Sequence, residues 1–178
     1  MTSFSLGIMR HPPVDVALGT CYGHRDIALK PGWEIFVNIV PQDISFQKIY
    51  ASPVSRCLKL AEVIAIQRNI PCHIDHRLIE FNFGDWEGKL WDDIPRELID
   101  AWAKDPWNWH VPGGESGQEL LTRVTAVWNE IKNRKENAII ISHGGPLRLI
   151  RALAQEKTVE LLGELPGFGS FELFHFSK

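Results

Sequence analysis

The chain of 178 residues is 44% hydrophobic and carries 19 basic and 22 acidic residues spread along its length, for a formal net charge of −3. A chain of this size buries about 70% of the surface it exposes when unfolded, so one domain spanning residues 1–178 is expected, and the dispersed charge excludes a nucleic-acid surface or a polybasic membrane patch. No apolar run reaches the ~18 residues of a membrane span, the first nine residues lack the basic start and the length of a secretory leader, and the three scattered cysteines, Cys21, Cys57 and Cys72, suit free thiols, so a cytoplasmic protein is expected.

The first element is the apolar run Phe4 to Met9, read as a buried strand, which delivers Arg10 and His11 and is followed at once by Pro12 and Pro13. Proline removes a backbone donor but keeps its carbonyl, so the backbone after His11 can accept from the imidazole while the fixed φ values stiffen the turn. A second strand is expected over Phe46 to Ala51. Ser52 then reads as an N-cap with Pro53 at the first helical position, and apolar residues recur at Val54, Leu58, Ala61 and Ala65 along one helix face. Arg56 lies in the first turn off that stripe, where a lone arginine is ordinarily solvated.

Further along, Cys72, His73 and His76 match no common zinc spacing, and no metal site is assigned to them. The segment "RLIEFNFGDWEG", residues 77 to 88, sets Glu80, Asp85 and Glu87 among aromatic side chains, and residues 89–115 hold Trp102, Trp107 and Trp109. A helix begins at "SGQE", where Ser116 and Glu119 have capping-box spacing, with a stripe at Leu120, Val124, Val127, Trp128 and Ile131. The β-branched run Ala138 to Ser142 reads as a third strand. His143 follows it, then Gly144 and Gly145 allow a tight turn, and Pro146 opens another helix. Phe171 to Phe176 reads as an edge strand.

Strands alternating with helices predict an α/β sandwich with a largely parallel sheet, whose ligands lie beyond the carboxyl ends of the strands. Arg10 and His11, Arg56, and His143 each follow a predicted strand, so all are expected at one sheet edge. Two arginines and a helix N-terminus suit a dianionic phosphoryl group, and a neutral imidazole held by an acceptor can attack phosphorus without a metal or cofactor. Because the prolines supply no N–H, phosphate binding falls to Arg10, Arg56, His143 and the turn at Gly144. A leaving alkoxide needs a carboxylic acid nearby, and Glu80, Asp85 and Glu87 are all candidates.

In chain order these pieces resemble the histidine phosphatase superfamily, the phosphoglycerate-mutase-like enzymes: "RH" at Arg10 and His11, "SPVSR" ending at Arg56, "LIEFNFGDWEG" from Leu78, "PGGES" from Pro112 and "SHGG" from Ser142. The resemblance implies a three-layer α/β/α sandwich with a mostly parallel mixed sheet. It implies that His11 becomes phosphorylated, that Arg10, Arg56 and His143 bind the phosphoryl group, that Glu80 is the general acid and base, that Gly23 brings its backbone to the phosphate, and that Glu115 and Ser116 lie near the site. The chain departs from the family at Pro12, Pro13 and Val14, where a glycine and a polar pair are usual, and at Ala17, which takes an asparagine's place. The stretch "VDVALGTCYGHRDIAL" is most similar to alpha-ribazole phosphatases, which remove a 5′-phosphate in cobalamin biosynthesis, and residues 89–115 could form a cap whose tryptophans stack on a benzimidazole or pack the cap down. A phosphoglycerate mutase, a broad-specificity phosphatase and a phosphate-binding module without turnover are the alternatives. The expected partner is a small-molecule phosphomonoester, with no nucleic acid and no membrane.

Overall fold

Alternating side chains along the strands decide the layering. In a computed structural model that describes residues 3–177, the chain forms β1 (Ser3–Arg10), β2 (Lys48–Ala51), α1 (Ser55–Arg68), β3 (Cys72–Ile74), α2 (Arg96–Lys104), α3 (Gly117–Arg134), β4 (Ala138–Ser142), α4 (Gly144–Ala154) and β5 (Phe171–Ser177), with a 3-10 helix over Trp33–Ile39. Sheet order is β3-β2-β4-β1-β5. The β2–β3, β2–β4 and β1–β4 pairings are parallel and only β5 runs antiparallel, along β1. The mostly parallel sheet and the edge position of Phe171 to Phe176 are as the sequence predicts.

Leu6, Ile8, Tyr50, Ala138 and Ile140 point to one face, where the α3 and α4 side chains cover them, and Met9, Ile49, Ala51, Ile139 and Ile141 point to the other, beneath α1 and the 3-10 helix. Each Leu, Ile or Met among these, fully buried, contributes about 1.5–3 kcal/mol. The stripe of α3 is as expected. All five named residues are buried, and Ser116 and Glu119 complete the capping box.

Two helix starts differ from expectation. α1 begins at Ser55 with Val54 as N-cap, not at Pro53 with Ser52 as cap, because the Ser52 hydroxyl is taken by His143. Its buried face runs through Arg56, Cys57, Leu60, Ala61, Ile64 and Ala65, so Leu58 is only half-buried and Arg56 belongs to the inward face. α4 begins at Gly144, two residues before Pro146, with His143 as its N-cap. Among the described residues no helix is long and apolar enough to cross a membrane.

Candidate active site

Strand register brings the chemistry together. Arg10 pairs with Ser142 across β1 and β4, and Ala51 with Ile141 across β2 and β4, so His11, Ser52 and His143 leave the sheet in line. The backbone is fixed beyond the last pairs: His11 N–H donates to the Ser142 carbonyl (3.1 Å) and Ser52 N–H to the Ile141 carbonyl (3.0 Å).

His11 is 1% exposed, and its ring centroid lies 5.2 Å from that of His143. Its Nδ1 is 2.8 Å from the Pro12 carbonyl oxygen. A carbonyl only accepts, so Nδ1 carries the proton and Nε2 keeps its lone pair. The proline that could have broken the pattern thus supplies the orienting acceptor. Burial, then the Arg56 charge, and then Arg10 hold the ring at a pKa of about 3, against the upward pull of the Pro12 bond, so it is neutral at ordinary pH.

Arg56 is fully buried, contrary to the solvated place expected of a lone arginine. It donates from Nη2 to the Gly23 carbonyl (2.6 Å), from Nη1 to the Arg25 carbonyl (2.8 Å) and from Nε to His143 Nδ1 (3.2 Å). Burial, Arg56, His11 and Arg10 hold His143 well below the usual histidine range. Gly23, like His11, Arg56 and His143, is buried and is not among the residues that line the cleft, and a Cβ at Gly23 would collide with the Phe81 carbonyl. Gly144 opens α4 against the Arg10 guanidinium, and the N–H groups of that first turn have no partner within the helix.

Arg10 donates from Nη1 to the Pro166 carbonyl (2.6 Å) and lies 3.8 Å over the Phe168 ring, while its buried Nε has no hydrogen-bond partner. That orphaned donor faces a cost of about 1–3 kcal/mol unless an acceptor reaches it. An anion is the acceptor that a buried cation pair would favour.

Geometry separates the three carboxylates. Glu80 lines the same cleft as Arg10, receives the Phe81 N–H at Oε1 (2.8 Å) and shares the Gly145 N–H between both oxygens at 3.2 Å. Glu87 instead accepts from the backbone of His24, Arg25 and Phe83 and ties two loops together. Asp85 is exposed, beside Gly113.

The cleft holds about 450 Å³. Arg10 and Glu80 mark its polar end, and Tyr22, Phe83, Trp91 and Trp102 form an aromatic wall. Trp91 and Trp102 stack at 6.2 Å, and Phe83 meets both edge-on. Of the tryptophans singled out in sequence, only Trp102 reaches the cleft. Trp109 stacks on Trp86 at 5.8 Å and Trp107 packs against the core.

Three contributors escaped the sequence reading. Arg123 binds Glu115 through Nη2 (2.6 Å) and Nε (3.2 Å) and donates to the carbonyls of Arg77, Ile79 and Glu80, so it clamps the segment that carries Glu80. No helical spacing announced the pair, because Glu115 lies before the Ser116 N-cap, outside α3. Arg148 lines the cleft one turn into α4 and donates to the Gly163 carbonyl (3.1 Å). Trp91 completes the aromatic wall. Among the described residues no three His, Cys, Asp or Glu side chains cluster as a metal site requires, and His73 stacks on Tyr50.

The family model described as "Histidine phosphatase superfamily (branch 1)" matches residues 6–169. The adenosylcobalamin/alpha-ribazole phosphatase of Escherichia coli is 30% identical over 157 residues, covering 83% of this chain and 77% of that protein. Phosphoserine phosphatase 1 of Hydrogenobacter thermophilus is 30% identical over 105 residues, 56% of this chain and 50% of that protein. The alpha-ribazole phosphatase structure from Shigella flexneri superposes with a TM-score of 0.85 at 24% identity, covering 96% of this chain and 89% of that one, a likeness of fold.

Proposed function

The chain belongs to the histidine phosphatase superfamily and is a phosphatase of that metal-independent family, and from that premise we propose that it hydrolyses a phosphomonoester through a phosphohistidine on His11, with alpha-ribazole 5′-phosphate as the favoured substrate. One observation carries the reading: a single cleft sets the Arg10 guanidinium and the Glu80 carboxylate against an aromatic wall, matching a dianion joined to a leaving group that carries a flat apolar ring.

In the first step His11 Nε2 attacks phosphorus, the N–P bond forms, the P–O bond to the leaving group breaks, and Glu80 gives its proton to the departing oxygen. Arg10, Arg56, His143 and the first turn of α4 with Gly144 take up the charge on the phosphoryl oxygens, and Gly23 holds Arg56 through its carbonyl. In the second step Glu80 takes a proton from water, the water oxygen attacks phosphorus, the N–P bond breaks, and phosphate leaves. Residues 89–115 act as a cap through Trp91 and Trp102.

Arg148 in the same cleft favours a second reading, a leaving group that bears an anion, as phosphoserine does. A panel of alpha-ribazole phosphate, phosphoserine, a phosphoglycerate and p-nitrophenyl phosphate, assayed in EDTA, separates the two. Alpha-ribazole phosphate is expected to give the highest kcat/KM, and parity with generic esters would refute that assignment. An acid-labile, base-stable phosphoprotein should accumulate in the parent and be absent from His11→Ala. Trapping it in His11→Ala would refute the nucleophile.

A further inference from the structure

Both ring nitrogens of His143 are engaged, and the partners differ in kind. Arg56 Nε can only donate, so Nδ1, 3.2 Å away, presents its lone pair. A neutral ring then carries its one proton on Nε2, which points at the Ser52 hydroxyl oxygen 2.8 Å away. Ser52 is fully buried, and its oxygen also lies 3.4 Å from the Val54 N–H.

Phosphoryl oxygens are acceptors. A bare nitrogen turned toward them repels, and Arg56 cannot give its Nε–H both to the ring and to an anion. The nitrogen on the Arg56 side must therefore become a donor, by taking a second proton or by moving the first. The groups facing the ring are Arg56, Arg10, His11 and, further off, Arg123, together with the Cys57 thiol, 3.4 Å from Nε2. None of them is an anion, and the ring is fully buried.

We propose that Ser52 is a positioning residue that lets His143 exchange one tautomer for the other as the phosphoryl group enters, so that a ring accepting from Arg56 becomes a ring donating to the anion. This rests on the reading above, in which His143 faces that group. A hydroxyl is the side-chain group suited to the task, because it accepts from Nε2–H in one arrangement and, on turning, donates to bare Nε2 in the other. The ring's proton count stays at one. A proton leaves Nε2 and another is taken up at Nδ1 by exchange with solvent, and no bond to carbon or phosphorus changes. The low histidine pKa adds support, since it disfavours the doubly protonated ring.

The test is ¹⁵N NMR of histidine-labelled full-length protein, with His143 assigned by its loss in His143→Gln, before and after saturation with inorganic phosphate and, separately, orthovanadate. The expected result is pyrrole-type Nε2 and pyridine-type Nδ1 alone, exchanging roles with the anion bound. An imidazolium in the complex, or Nε2 protonated throughout while His11 responds, overturns the tautomer exchange and leaves the phosphatase reading standing. No response at either histidine overturns both. Ser52→Ala should lower kcat/KM about tenfold, the worth of one hydrogen bond, and abolish the exchange, whereas Ser52→Thr should retain it. An unaltered exchange in Ser52→Ala overturns the proposal, because a purely structural serine would change the rate and not the proton's position.

Discussion

Replacing Gly145 by alanine should separate catalysis from stability. A Cβ at this position meets Glu80 Oε1 first, and the oxygen would have to retreat by roughly 1 Å to regain van der Waals distance. The carboxylate is the free end of a flexible side chain, and the next neighbour, Leu120 Cδ2, lies at an ordinary 3.8 Å, so the fold absorbs the methyl without strain. Gly145 is helical with no positive φ, so alanine gains about 0.4–1 kcal/mol through the unfolded chain, offset by about 0.5–1.5 kcal/mol for each of the Phe81 and Gly145 N–H bonds the displaced carboxylate gives up, and net stability should fall by no more than about 2 kcal/mol. Catalysis should suffer, because a misplacement of about 1 Å costs roughly 100-fold and a general acid is worth about 10² to 10⁴. The assay is kcat/KM on two esters. An alkyl phosphate, whose poor leaving group needs the proton, should lose about 100-fold, and p-nitrophenyl phosphate, whose phenolate leaves unaided, should lose less than about tenfold. A Gly145→Ala protein that matches the parent on the alkyl ester, or loses equally on both, would refute Glu80 as the acid.

Stability should fall with acid in a defined window. His11 titrates at about 3 in the folded protein against an ordinary 6.5, so its contribution is complete above the unfolded value and is lost as pH falls toward 3, at about 1.4 kcal/mol per pH unit. Urea unfolding of His11→Gln between about pH 4 and pH 6 should show a slope shallower by that amount, and an unchanged slope would contradict a neutral buried ring. Arg123→Met should cost about 3 kcal/mol in urea, since it strands a largely buried Glu115 and frees three carbonyls, and should lower kcat by loosening the Glu80 segment. If midpoint and kcat both hold, the clamp is incidental. Trp91→Leu should lower kcat/KM for alpha-ribazole phosphate about tenfold and leave a small alkyl phosphate unchanged, in line with the loss of one ring contact. Equal loss on both would place Trp91 in support of the fold instead.

Local chemistry was legible where local forces decide. The capping box at Ser116 and Glu119 and the stripe from Leu120 to Ile131 are complete within one helix, and sequence and structure agree there. Strand β4 was legible because all five of its residues are buried and Ala138 to Ile141 are apolar, and β1 because Leu6 to Met9 form a short buried run. The burial of Arg56 was not legible, for the opposite reason. Its partners, Gly23, Arg25 and His143, come from segments far away in sequence, and no local pattern reports a cation whose acceptors arrive by tertiary folding. Ser52 fits an N-cap equally well by type, and only the approach of His143 reassigns it. Among Glu80, Asp85 and Glu87 the choice depended on which backbone N–H groups lay opposite, and Gly145 is 65 residues from Glu80. The acceptor role of Pro12 followed from valence, since a proline keeps its carbonyl.

The stacked indoles beside the cleft also make the molecule its own optical reporter. Trp91 and Trp102 form part of the surface a bound ring would touch, and five other tryptophans lie elsewhere in the chain. A flat heterocycle settling there should quench a fraction of the emission on arrival and restore it on departure. Encounter and release could then be timed in a stopped-flow instrument with unlabelled protein, apart from the chemical steps.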